Sequence, residues 1–134
     1  MREPLLEHPT GEYETTLEAL EAGLRKLLSL GTSEPLVICA QGQGVHEDAV
    51  SFADLLWHDG ELRSSEPFDW RTAIEQSGAS QPDAIAQAAA SGSLDQCEPA
   101  ALARVLDVIF RHQLGIRPFD GEGEDYPVGM EWLE

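Results

Sequence analysis

Hydrophobic positions along this chain switch between two periods. Leu17, Leu20, Leu24, Leu27 and Leu28 recur at helical spacing. They stand behind Thr15-x-x-Glu18, a capping box in which the threonine hydroxyl takes an orphan amide and the glutamate reaches back. Arg25 and Lys26 lie toward the end of this stretch, where the helix dipole favours cations, and Gly31 offers a left-handed stop. A helix over 16–30 is predicted. Leu36-Val37-Ile38-Cys39-Ala40 follows as a short apolar run with β-branched residues, bounded by Pro35 and the Gln41-Gly42-Gln43-Gly44 stretch. That is the pattern of a strand buried on both faces.

Residues 47–58 fit two patterns. Glu47, Ser51, Asp54 and His58 make a polar stripe at helical spacing, opposite Ala49, Val50, Phe52, Ala53, Leu56 and Trp57. Read as a strand, the alternation breaks at Asp54. The strand is favoured, because the run at 36–40 needs backbone partners and Asp59-Gly60 supplies a hairpin turn into Glu61-Leu62-Arg63. A three-stranded antiparallel meander over 35–64 results. The helical alternative would give a mostly helical fold with a small sheet.

Asp69 can cap a short helix from Trp70 to Gln76 ended by Gly78, and Pro82 opens another that runs through the alanines to Gly92. Pro99 opens the strongest. Leu102, Val105, Leu106, Ile109 and Phe110 form a continuous stripe, Arg104, Asp107 and Arg111 lie on the other side, and Gly115 with Pro118 ends the helix. In the tail, Val128, Met130 and Trp132 alternate as an edge strand, with Pro127 tolerable at its start. The expected fold is α+β: an N-terminal helix, a small antiparallel β-meander, C-terminal helices packed on the sheet and a short tail strand. All of it falls in one domain spanning 1–134, with an irregular lead-in at 1–13 and an acidic loop at 118–127.

The length of 134 residues suits one domain that buries roughly two-thirds of its unfolded surface. No apolar run is long enough for a transmembrane helix, and the N-terminus turns acidic where a secretory signal needs an apolar core, so a cytoplasmic protein is expected. Cys39 and Cys97 lie far apart without metal-type spacing and are expected to be reduced, structural thiols.

Charge changes the picture most. Twenty-five acids against eight bases give −17, and Lys26 is the single lysine. Residues 1–21 hold six acids and one base, and residues 118–134 hold six acids and no base, so both ends are more acidic than the body. Such a field repels nucleic-acid phosphate and anionic membrane, and attracts a basic protein surface.

Four constellations invite chemistry. Asp120, Glu122, Glu124 and Glu131 match positions 1, 3, 5 and 12 of a calcium loop, but the sixth position is Asp125 where the sharp turn needs glycine. Cys39, before Gly42-x-Gly44 and near His46, has the outline of a nucleophile, yet its surroundings read as an ordinary buried strand. His46-Glu47-Asp48 and His58-Asp59 place carboxylates beside imidazoles without a third ligand in register, and His8 and His112 stand apart. Trp57, Trp70 and Trp132 are core or edge fillers unless exposed together. No catalytic residue, metal site or cofactor is assigned.

The favoured function is therefore a small acidic interaction module of the inhibitor, immunity, anti-defence or adaptor kind, bacterial in character, that holds a basic surface of a partner protein. Asp120, Glu122, Glu124 and Asp125, on a glycine-loosened loop without a nearby base, are the expected partner-binding residues. Their conversion to Ser or Gln would slow association and leave the fold intact. Two other readings compete: a small enzyme using Cys39 or an acid-held metal, and a homo-oligomeric domain pairing through its tail strand, its acidity being salt adaptation.

Overall fold

A computed structural model describes residues 3–8, 12–31, 34–43, 50–64, 67–118 and 125–133. The capping box forms, with its return bond one residue before the cap. Thr15 accepts from the Glu18 amide at 3.0 Å, Glu18 reaches back to the Glu14 amide, and helix α1 runs Thr16–Leu30 to Gly31 at φ 60°. Strand β2 is Leu36–Gln43 and β3 is Val50–His58, so the ambiguous stretch is a strand over its described part. Asp59 and Gly60 take φ of 53° and 84°, the positive pair a type I′ turn needs, and lead into β4, Glu61–Ser64.

The two chain ends complete the sheet. Leu6–His8 forms β1 and Val128–Trp132 forms β5, giving the antiparallel order β1-β5-β2-β3-β4. Two expectations are corrected here. The lead-in is not wholly irregular, because Leu6 and His8 alternate with Glu7 and pair with Met130, Val128 and Gly129. In turn, β5 is not an edge: β1 flanks it on one side and β2 on the other. Three residues are too short a run for alternation to announce a strand, and the partner lies more than a hundred residues away.

Helices α2 (Trp70–Ser77), α3 (Pro82–Ser91) and α4 (Pro99–Val108) start where their caps and prolines indicate. The last does not continue as an α-helix to 114. Residues Ile109–Gln113 form a π turn, with the Leu114 amide donating to Ile109 O at 2.8 Å. This widening lets the Gln113 side-chain amide donate to the carbonyl of Asp69 at 2.8 Å, tying the turn to the α2 cap. The helices pack on one face of the sheet. Leu36, Ile38 and Ala40 of β2, Leu55 and Trp57 of β3 and Met130 of β5 meet them there, together with the wholly buried stripe Leu102/Val105/Leu106/Ile109/Phe110. Helix α1 rests on β1 and β5, and α4 lies beside α1 and α2. No helix among the described residues is long and apolar enough to cross a membrane.

Candidate functional site

Strand alternation sends every second side chain of this sheet away from the helices. The run at 36–40 is therefore buried on one face only, against expectation: Val37 and Cys39 are half-buried and Gln41 is exposed. Across the sheet Val37 stands opposite Leu56, Cys39 opposite Asp54, Gln41 opposite Phe52 and Gln43 opposite Val50. Phe52 is 66% exposed and Val50 is 46% exposed, both on the side that the helices leave open. Leu56 is half-buried beside Val37, and the exposed Asp54 stands between Leu56 and Phe52 on this face.

Carboxylates share the face. Glu7 on β1, Glu131 on β5 and Asp54 on β3 are all exposed on this face. Arg63 on β4 is spent on Glu61 at 2.8 Å. Among the described residues no base pairs with Asp54 or Glu131. Between Glu7 and Cys39 lies Gly129, and over it opens a hollow of about 400 Å³ whose lining includes Glu7, Cys39, Gln41 and Glu131.

The same geometry weighs against a nucleophile at Cys39. Its thiol donates to the Gly129 carbonyl at 3.6 Å, and burial, then the negative charges of Glu131 and Asp54, push it above the ordinary thiol range. A reactive cysteine needs the opposite shift and a neighbouring base. Its cross-strand neighbours are an aspartate and a glycine. Cys97 is likewise a free thiol pushed up, by burial and then Asp95.

Of the four tail acids, Asp120, Glu122 and Glu124 lie outside the described residues. Asp125 has structural work: its carboxylate accepts the Thr16 amide at 2.9 Å, at the positive end of α1. Beside it Tyr126 N and Thr16 Oγ1 are 2.7 Å apart, and the Thr16 hydroxyl donates in turn to the Tyr126 carbonyl at 2.7 Å. The Tyr126 hydroxyl donates to Asp107, which also takes two bonds from Arg111, and burial with that nearby charge drives the phenol far above its usual range. Asp125 thus anchors the tail to α1, and converting all four acids would disturb the fold at this one position.

The remaining candidates do not converge. Glu131, twelfth in the calcium-type spacing, is on β5 opposite Val37, and no group of three or more possible metal ligands assembles among the described residues. His8 is buried on β1, His58 is opposite Glu61 at the hairpin, His112 is exposed on the π turn, and His46 lies outside the described residues. Trp57 is core, and Trp70 and Trp132 are each half-buried on separate elements. Sequence reasoning passed over Phe52, Val50 and Gly129. The signal was present: on the polar side of Val50–His58, residues 50, 52, 54, 56 and 58, three of five positions are apolar. No protein-family model, curated protein or solved structure matches this chain.

Proposed function

We propose that this protein is an acidic interaction module that binds a basic surface of another protein, as an inhibitor or adaptor, through the uncovered face of its sheet. The observation that supports this reading is Phe52, an aromatic left 66% exposed on a sheet face that also bears the exposed carboxylates of Asp54 and Glu131. Exposed apolar groups gathered in a patch mark interaction surfaces more often than scattered ones.

Magnitudes divide the work. Burying a Phe or Leu side chain is worth about 1.5–3 kcal/mol, whereas an exposed ion pair adds about 0–1 kcal/mol. Affinity then rests on Phe52, Val50, Leu56 and Val37, while the charge of −17, tail acids included, steers the encounter. Self-association through the tail strand loses its basis, since β5 is paired on both sides.

The test is capture from native cells with immobilised wild type and Phe52→Ser, both confirmed as folded. A basic protein retained by the wild type and lost with Phe52→Ser is the expected result. Equal retention of the same proteins by both would remove the sheet face from the function.

A further inference from the structure

We infer that the hollow over Gly129 is a socket for an arginine side chain of the partner, an inference that rests on the sheet-face reading above. Gly129 sits within β5 with neighbours on both sides, and its φ lies outside the left-handed region, so the backbone does not demand glycine there. Packing does not demand it either. A Cβ at this position would stand 3.4 Å from Cys39 Sγ and 3.4 Å from Leu6 O, the edge of ordinary contact. Glycine inside a strand weakens it and often marks a place where something approaches the backbone closely. What glycine does here is keep the floor of a hollow of about 400 Å³ open.

The walls select a cation of a particular shape. Glu131 follows Gly129 by two positions on the same strand and Glu7 stands opposite Gly129 on β1, while Asp54 lies just outside the hollow, opposite Cys39 on β3. Glu7 and Glu131 are diagonal neighbours across β1 and β5, a spacing of about 7–8 Å that is too spread for one metal ion but within reach of a planar guanidinium with five donors. The floor is the Gly129 backbone beside the Cys39 thiol, part polar and part apolar. Arginine is weakly hydrated and lies on such surfaces, whereas the lysine ammonium is compact and strongly hydrated. That Glu131 and Asp54 both push the Cys39 thiol up shows their charges reaching the floor.

Nitrogen-15-labelled protein is titrated with acetylated hexa-arginine and hexa-lysine amides at physiological salt, following the amide signals of Gly129, Cys39 and Gln41. Saturable shifts are expected with hexa-arginine at a concentration roughly tenfold below that for hexa-lysine. Gly129→Val fills the hollow with a residue suited to strands and should reduce hexa-arginine to the lysine level, with Gly129→Ala intermediate and serving if the valine variant does not fold. The double variant Asp54→Asn/Glu131→Gln should weaken both peptides. Equal affinities for the two peptides, unchanged by Gly129→Val or Gly129→Ala, would overturn the socket. Should the double variant also bind like the wild type, the sheet-face reading falls with it.

Discussion

Ile109→Asp is expected to cost several kcal/mol and to shift unfolding to a much lower urea concentration. Ile109 has no exposed surface and lies where α4 passes into the π turn, within the core shared by the helices and the inner face of the sheet. The described arginine nearest in sequence, Arg111, already holds Asp107 through two bonds of 3.0 and 2.7 Å. An uncompensated buried charge costs about 3–5 kcal/mol, a large part of the roughly 5–15 kcal/mol that holds a domain of this size together. Urea unfolding followed by far-ultraviolet circular dichroism checks it. A midpoint equal to that of the wild type would mean that the helical stripe does not face the core.

Gly42→Ala should be the next most damaging change, for a reason invisible in the sequence. Gly42 was readable as a loop glycine after the apolar run. It lies instead inside β2, facing inward, where the chain at Ile116 and Arg117 crosses it. The Gln43 amide donates to the Arg117 carbonyl at 2.8 Å, and an added Cβ would come to 2.8 Å from Arg117 N and from Ile116 Cγ2. Backbone cannot swing aside as a flexible side chain can, so the strand and the 116–117 segment must part. Overpacking of this kind costs about 1–3 kcal/mol, and the upper end applies where main chain is the obstacle. Thermal unfolding would show the loss, and faster hydrogen exchange at the Gln43 amide would locate it. Unchanged exchange there would mean that this crossing contributes nothing.

Local grammar was legible. The Thr15 cap, Gly31, the Asp59-Gly60 turn and the prolines at 82 and 99 each place an element boundary by chemistry that acts within a few residues. Pairings between distant segments were not. Nothing within Leu6–His8 announces that it flanks Val128–Met130, so the lead-in read as irregular and the tail strand as an edge. The π turn escaped for a similar reason: the Gln113–Asp69 clamp beside it is tertiary, while the stripe through Phe110 is equally good for an α-helix. For the site, charge located the acidic tail but could not say which carboxylate was already engaged. Asp125 is, with the Thr16 amide. The sheet face needed two facts at once, the exposed Phe52 and the one-sided helices, and only the first leaves a trace in the sequence.

The most direct measurement is the association rate of the captured basic partner at two salt concentrations, for wild type, the face variant Asp54→Asn/Glu131→Gln and the tail variant Asp120→Ser/Glu122→Gln/Glu124→Gln. Asp125 stays, so that α1 keeps its N-terminal contact. The Debye length shortens from about 30 Å at 0.01 M to about 8 Å at physiological ionic strength. The wild-type rate should therefore fall steeply across that range, and both variants should associate more slowly with flatter salt dependence. Phe52→Ser should shorten the lifetime of the complex and leave the rate nearly unchanged. Rates, salt slopes and lifetimes equal to wild type in every variant would contradict docking at this face.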